Sequence, residues 1–248
     1  MLKIWNERWH LIRPGDASQT VVYAVEHFLA VAHESIAHHG AFYVALSGGS
    51  TPKAIFQKLF HSPYKEMIPW DKVHIFFSDE RAVPHTHPDS NYQMAMQAGL
   101  GALAISEKNI HRMIAEENIE ENARGYEVMI RETLKEHSFD LIMLGLGEDG
   151  HTASLFSGTK ALSEHKRWIL ENFVPEKQAF RMTMTYPLIN KARHAVFYVM
   201  GSSKKKIIKE IFSSHRSDQY PAEKVGTREH PALWIVDHDA ALELFVQK

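Results

Sequence analysis

Apolar runs of strand length alternate along this chain with segments of helical periodicity, and this alternation restricts the fold more than any other feature. Strands are predicted at 41–46, 73–77, 139–144, 181–185, 195–200 and 232–236. Helices are predicted from Asp16 to about Gly40, from Pro52 onward, and across 90–137 with a break near Gly99 and Gly101. Asp16, with Gln19 three residues later, has the pattern of a capping box. Such an order is typical of βαβ units, so the sequence predicts an α/β fold with a mostly parallel sheet flanked by helices.

The composition argues against several kinds of protein. Lys and Arg number 28 against 30 Asp and Glu, a formal net charge of −2, so nothing favours a nucleic-acid partner. No cysteine occurs, which excludes disulfides and thiol chemistry. The N-terminus has no apolar signal region and no run approaches a membrane span, so we expect no membrane partner and a cytoplasmic location. The 248 residues are expected to form one domain, 1–248.

A glycine-rich polar loop follows the first predicted strand. It consists of Ser47, Gly48, Gly49, Ser50 and Thr51. Glycine allows a tight turn with exposed N–H groups, and the start of the next helix adds a positive dipole end, so phosphate is the ligand this loop favours. The spacing is not that of a Walker A loop. The alternative is a plain strand-to-helix turn, but a Gly-Gly pair is costly unless something approaches it closely.

Three consecutive charges, Asp79, Glu80 and Arg81, follow the second predicted strand. They form either a solvated corner or the lining of a site for an anionic substrate, and their spacing does not decide between the two. Arg181 and Lys204 are equally open to two interpretations. Each is either a surface charge or a cation that helps a glycine-rich loop to hold phosphate.

The segment from Gly145 to His151 matches the pattern G-x-G-x-x-G. It follows the third strand rather than opening the first βα unit, and no ribose-binding acid is convincingly placed, so a dinucleotide site is disfavoured. Asp149 and His151 are more informative, because an imidazole can act as a general base and a nearby carboxylate can orient it. The alternative is a helix-capping aspartate beside an incidental histidine. The turn is predicted at the carboxyl edge of the sheet, where ligands bind, and this position favours the catalytic interpretation of Asp149 and His151.

Six segments, in this order, resemble the 6-phosphogluconolactonases. They are ALSGGSTP at 45–52, SDERAVP at 78–84 with DSNY at 89–92, LGLGEDGHTASLF at 144–156, RMTMTYPLIN at 181–190, the turn at 201–204, and WIVDHDAA at 234–241. The resemblance implies a Rossmann-like, modified doubly wound fold shared with glucosamine-6-phosphate deaminases. It also implies hydrolysis of a phosphosugar lactone without a metal or an organic cofactor. We expect a monomer or a weak homo-oligomer.

The resemblance further implies roles for individual residues. His151 would be the general base that activates water, and Asp149 would support it. Arg81 would position the substrate or stabilise developing negative charge. The loop at 47–51, with Arg181 and Lys204, would hold the phosphate. Ser157 departs from the family pattern, in which many relatives carry proline, and this bears on loop rigidity rather than on chemistry.

Three other functions compete with this one. The first is that of a glucosamine-6-phosphate deaminase. Those enzymes typically carry Asp-Glu-Tyr where this chain has Asp79, Glu80 and Arg81. They also carry a glutamate five residues after the motif histidine, where this chain has Phe156. A non-catalytic sugar-phosphate sensor would keep the phosphate loop, but the intact Asp149 and His151 count against it. A dinucleotide-dependent oxidoreductase rests on the glycine pattern alone.

Overall fold

The computed structural model describes residues 2–213 and 219–244. Its strands are β1 (Leu2–Ile4), β2 (Trp9–Ile12), β3 (Phe42–Leu46), β4 (Val73–Phe77), β5 (Asp79–Arg81), β6 (Leu141–Leu144), β7 (Ile169–Val174), β8 (Ala179–Met184), β9 (His194–Val199) and β10 (Ala232–Val236). Its α-helices are α1 (Ala17–His39), α2 (Ser50–Leu59), α3 (Asn91–Gln97), α4 (Ile119–Leu134), α5 (Tyr186–Ile189) and α6 (Lys205–Ser213). Among these helices none is long and apolar enough to cross a bilayer.

The main sheet has seven strands in the order β1-β2-β10-β9-β6-β3-β4. All neighbours pair in parallel except β1 and β2, which pair antiparallel at one edge. The sequence prediction of a mostly parallel α/β sheet flanked by helices is therefore confirmed. The central strands are buried, and Trp234 of β10 stacks on Phe197 of β9 with ring centroids 3.8 Å apart. Each such side chain contributes about 1.5–3 kcal/mol by burial, which anchors the middle of the sheet.

Helix α1 begins and ends where the sequence predicts. The Asp16 carboxylate accepts from the Gln19 N–H at 2.8 Å, and the Gln19 side chain accepts from the Asp16 N–H at 3.0 Å. Gly40 ends the helix with φ of 87° and donates its N–H to the Ile36 carbonyl. Glycine suits this left-handed C-terminal position because it has no Cβ to clash.

Two helix predictions need correction. Helix α2 begins at Ser50, two residues before Pro52, because Gly49 with φ of 108° turns the chain directly into the helix. The region 90–137 is α-helical only at α3 and α4. The stretch between them returns to the sheet, where the His111 N–H donates to the Ile75 carbonyl at 2.8 Å. A backbone that pairs with a strand cannot also continue a helix.

The strand predicted at 181–185 exists but does not join the main sheet. It is part of β8, which lies between β5 and β7 in a separate antiparallel sheet of three strands. Strands β1, β2, β5 and β7 are not predicted by the sequence. The small sheet stands beside the carboxyl ends of the main strands, because β5 follows β4 after the single residue Ser78.

The order of strands reverses at β3. The chain passes from β3 through α2 to β4 on one side, and it later places β6, β9 and β10 on the other side. In open α/β sheets, ligands bind at such a switch point, outside the carboxyl ends of the strands. The loops after β3 and β6 meet there: a Cβ on Gly145 would lie 3.7 Å from the Gly48 carbonyl oxygen.

Candidate active site

A cavity of about 610 Å³ opens at this switch point, between the main sheet and the small one. Nine of the ten residues predicted for the site line it: Ser47, Gly48, Gly49, Ser50, Thr51, Arg81, His151, Arg181 and Lys204. The tenth, Asp149, lies behind His151 and binds its imidazole. The structure therefore brings the residues predicted for the site together around one cavity, and their chemical roles remain predictions.

The turn after β6 holds the Asp149–His151 pair in a fixed geometry. The His151 Nδ1 and Asp149 Oδ1 atoms are 2.5 Å apart, and the Gly147 N–H donates to the His151 carbonyl at 2.8 Å. Both side chains lie directly over Gly147. A Cβ there would be 2.1 Å from His151 Nδ1 and 2.3 Å from Asp149 Oδ1. Glycine is required at this position because the two side chains occupy the space of its Cβ.

The surroundings of His151 leave one ring nitrogen available for chemistry. Its ring stacks on Phe156 with centroids 3.9 Å apart, and 27% of the side chain remains exposed. Partial burial raises the pKa of Asp149, but the hydrogen bond to His151 and the imidazole charge outweigh it and lower this pKa to about 2. Asp149 is therefore a carboxylate at neutral pH and accepts the Nδ1 proton. Nε2 is then the nitrogen free to act as a base.

The two glycines of the loop after β3 are required for different reasons. A Cβ on Gly48 would lie 1.8 Å from Asn91 Oδ1, so the close approach comes from a side chain of the protein itself. Gly49 has φ of 108°, a conformation open mainly to glycine, and it places Ser50 and Thr51 in the first turn of α2. The N-cap residue of α2 is Gly49, a glycine that offers the helix no side chain as a cap. Its first N–H groups have no partner within the helix and lie at the cavity wall.

The charges after β4 consist of two buried acids and one partly exposed cation. Asp79 accepts from Ser154 Oγ at 2.7 Å, and Glu80 accepts from the backbone N–H groups of Asn91 and Tyr92 at 2.7 and 2.9 Å. Burial raises the pKa of Glu80, and these hydrogen bonds oppose the rise. The interpretation as a solvated corner is wrong for Asp79 and Glu80. Only Arg81 and Asp79 of the three line the cavity.

Arg81 and Arg181 face each other across the small sheet. They are direct partners in the antiparallel pairing of β5 with β8. The Nε atoms of both are buried, and in the described part of the chain neither has a hydrogen-bond partner. Burial and the neighbouring Arg81 charge lower the pKa of Arg181. Like charges placed opposite each other destabilise a sheet, so this arrangement is suited to an anion that binds between them.

Comparison with known proteins agrees with this geometry. The sequence profile of the glucosamine-6-phosphate isomerases/6-phosphogluconolactonase family matches residues 15–234. The chain belongs to this family. A 6-phosphogluconolactonase from Chlamydia pneumoniae is 40% identical over 95% of this chain and 91% of its own length. One from Synechocystis sp. is 41% identical over 85% of this chain and 88% of its own length. The solved structure of a 6-phosphogluconolactonase from Trypanosoma cruzi superposes with a TM-score of 0.82 and 29% identity, covering 95% of this chain and 96% of that one.

These relatives show that the chain is an enzyme of the 6-phosphogluconolactonase type with the α/β fold of its family. Three residues that shape the site are not among those predicted from the sequence. Lys177, in the turn between β7 and β8, lines the cavity. Asn91 packs on Gly48, and Asp237 accepts the Gly201 N–H at 3.0 Å and so holds the turn that carries Lys204. Asn91 and Asp237 belong to motifs quoted for the resemblance, whereas no sequence pattern marks Lys177.

Proposed function

We propose that this chain hydrolyses 6-phospho-D-glucono-1,5-lactone to 6-phospho-D-gluconate, the second step of the oxidative pentose phosphate pathway. The observation that carries the proposal is the Asp149–His151 pair, 2.5 Å apart, in a cavity that also holds Arg81, Arg181 and the uncapped start of α2. A lactone needs a base, water and stabilisation of the oxyanion, and its phosphate needs N–H groups and cations.

His151 is proposed to act as the general base. Asp149 accepts the Nδ1 proton, so Nε2 takes a proton from water as that water attacks the lactone carbonyl carbon. The tetrahedral intermediate then collapses with cleavage of the bond between the carbonyl carbon and the ring oxygen. The imidazolium returns its proton to the departing ring oxygen, which becomes a hydroxyl group. The charge of Asp149 stabilises the transient imidazolium, as a carboxylate does in related hydrolase triads.

The phosphate is assigned to the loop at 47–51 with Arg181 and Lys204. The exposed N–H groups at the start of α2 and its dipole favour a dianion. Arg81 pairs with Arg181 across the small sheet. Its guanidinium donates a hydrogen bond to the backbone carbonyl of Asp89. This contact holds Arg81 towards the cavity, where it positions the substrate or stabilises negative charge on the carbonyl oxygen.

The stacking of Phe156 on His151 argues against deaminase chemistry. Phe156 occupies the position at which the deaminases typically carry a glutamate, and its ring lies 3.9 Å from the imidazole ring. Ring opening and proton transfer between C1 and C2 of an amino sugar would lack that acid. Lactone hydrolysis needs no acid at this position, because the base only has to take a proton from water and return it to the ring oxygen.

The test is hydrolysis of freshly prepared 6-phosphoglucono-δ-lactone, measured against a blank without enzyme because the lactone also opens unaided. Wild-type protein should accelerate the reaction strongly, and His151→Ala should lose on the order of 10²-fold or more in kcat. A wild-type rate equal to the blank would remove the lactonase proposal, and glucosamine 6-phosphate would be the next substrate. Full activity in His151→Ala would keep the reaction and overturn the assigned base.

A further inference from the structure

Residues 220–226, here called the supporting segment, lie directly against the catalytic turn. The Ala222 N–H donates to the Gly150 carbonyl at 3.0 Å. Gly150 itself has φ of 78°, and a Cβ on it would lie 2.5 Å from the ring of Tyr220. Since Gly150 is the residue between Asp149 and His151, the supporting segment fixes the backbone from which both side chains extend.

The supporting segment contains one turn of 3₁₀ helix, Pro221–Lys224, and side chains from distant parts of the sequence hold its backbone. Five of its backbone carbonyl oxygens accept hydrogen bonds from side chains. Tyr186 Oη donates to the Pro221 carbonyl at 2.8 Å, Asn190 Nδ2 to the Lys224 carbonyl at 3.0 Å and Trp9 Nε1 to the Val225 carbonyl at 2.9 Å. Arg8 donates to two carbonyls, from Nη2 to Glu223 at 2.7 Å and from Nε to Gly226 at 2.8 Å. Asn190 Oδ1 also accepts the Gly226 N–H at 2.8 Å. Backbone groups buried outside regular structure need such partners, so these side chains determine the position of the segment.

Tyr220 ties the supporting segment to a second part of the site. Its hydroxyl donates to the Glu210 carboxylate on α6, the helix that begins directly after Lys204. This hydrogen bond, with some burial, raises the pKa of Tyr220 to about 12, so the phenol remains a donor at neutral pH. The ring that packs on Gly150 is thereby held at its far end.

Tyr186 and Asn190 come from the same short stretch as Arg181. Arg181 reaches the cavity from β8, the chain then turns through α5, and Tyr186 and Asn190 contact the supporting segment from that turn. Tyr186 is 9% exposed and neither side chain lines the cavity. The function proposed above uses Arg181 and leaves these two polar groups without a role.

We propose that Tyr186 and Asn190 are positioning residues for the Asp149–His151 pair and act through the supporting segment on Gly150. This inference rests on the proposed lactonase function. A general base works only within hydrogen-bond reach of the proton it takes, and a displacement of about 1 Å costs as much as 10²-fold in rate. We expect the loss of one of these hydrogen bonds to displace Gly150 by less than about 1 Å, and so to lower kcat by about tenfold.

The test compares Tyr186→Phe with Tyr126→Phe. Both tyrosines are buried, and each donates its hydroxyl to a backbone carbonyl, Tyr186 to Pro221 at 2.8 Å and Tyr126 to His111 at 2.9 Å. Tyr126 Oη also accepts the Phe77 N–H at 3.1 Å. Both variants should therefore lower Tm, Tyr126→Phe by at least as much as Tyr186→Phe, because each loses hydrogen bonds of a buried hydroxyl. Only Tyr186→Phe should lower kcat for the lactone, by about tenfold, with KM within about twofold because the phosphate contacts are unchanged. Asn190→Ala should reproduce the kcat loss.

A second readout does not depend on turnover. The imidazole ¹H–¹⁵N NMR signals of His151 should shift in Tyr186→Phe and stay in place in Tyr126→Phe. Wild-type kcat together with unmoved His151 signals in Tyr186→Phe would overturn the positioning role. A wild-type protein without lactonase activity would instead refute the proposed function, while the His151 signals would still report whether Tyr186 sets the geometry of the pair.

Discussion

Gly147 shows, at the scale of single residues, how the turn that carries Asp149 and His151 depends on the absence of a side chain. The Asp149 and His151 side chains lie where its Cβ would be, and its φ is outside the left-handed region, so the backbone itself could accept alanine. The conflict with alanine is therefore one of space between side chains rather than of backbone strain. The rigid pair that results is what a general base requires.

Gly147→Ala should accordingly reduce catalysis more than folding. The added methyl group would lie 2.1 Å from His151 Nδ1 and 2.3 Å from Asp149 Oδ1, and must displace both side chains. We expect kcat to fall on the order of 10²-fold with a modest change in Tm. Steady-state lactone hydrolysis and thermal unfolding of the same samples measure both quantities.

Gly125→Ala is the matched control for that variant. Gly125 lies inside α4, and a Cβ there meets nothing within 4 Å. Alanine is favoured over glycine in a helix by about 0.5–1 kcal/mol, so this variant should gain stability and keep wild-type kcat. A Gly147→Ala protein that matched Gly125→Ala in kcat would show that the pair tolerates displacement.

At the scale of elements, the hairpin formed by β7 and β8 extends the wall of the cavity. Phe173 and Phe180 pair across it with ring centroids 5.1 Å apart, and both are 44% exposed. Lys177 stands in its turn, lines the cavity, and makes no ion pair with any described residue. A cation in this place can attract a phosphorylated substrate without taking part in the chemistry.

Lys177→Gln should therefore raise KM several-fold and leave kcat close to that of wild type. An interaction that is equally strong in the ground state and the transition state contributes to KM alone. Glu176→Gln is the control, because it changes one charge in the same turn at a residue that does not line the cavity. The effect of Lys177→Gln should shrink as salt is added, since an exposed charge is screened. A KM equal to that of Glu176→Gln would exclude this role.

The elements also show which features the sequence could reveal. The capping box at Asp16 and the continuous apolar strands are local patterns, so their positions are confirmed within a few residues. The small sheet is different, because β5 pairs with β8 through residues far apart in the chain, such as Arg81 and Arg181. No local pattern records that pairing, and strands of three residues carry little periodicity. Sequence reasoning could group the cavity-lining motifs because most of them follow a strand, whereas Lys177 lies in a turn that no sequence pattern marks.

At the scale of the whole molecule, the histidines with altered titration lie away from the cavity. His194 begins β9 and His74 lies near the start of β4, at the amino ends of parallel strands whose carboxyl ends form the site. His27 faces His194 with ring centroids 6.2 Å apart, and His111 stacks on His74 at 5.6 Å. His194 and His74 therefore lie at the end of the sheet opposite the candidate active site.

Burial, followed by the charge of the neighbouring histidine, lowers the pKa of His27 and of His111 from 6.5 to about 4. The unfolded chain therefore binds protons on these two side chains at a pH where the folded protein does not. Folding is favoured fully above pH 6.5, and this contribution is lost as the pH falls from 6.5 towards 4. Because both side chains are partly exposed, we expect a loss of about 1–3 kcal/mol for each.

Urea unfolding at a series of pH values tests this expectation with His27→Gln. Glutamine cannot take up the proton, so the free energy of unfolding of the variant should fall less steeply than that of wild type as the medium is acidified. The exposed His165→Gln is the control, and its pH dependence should follow that of wild type. Equal slopes for wild type and His27→Gln would show that His27 is protonated equally in the folded and unfolded states. Because His27 does not line the cavity, its variant should keep wild-type kcat at neutral pH, which separates acid sensitivity of the fold from the chemistry of the site.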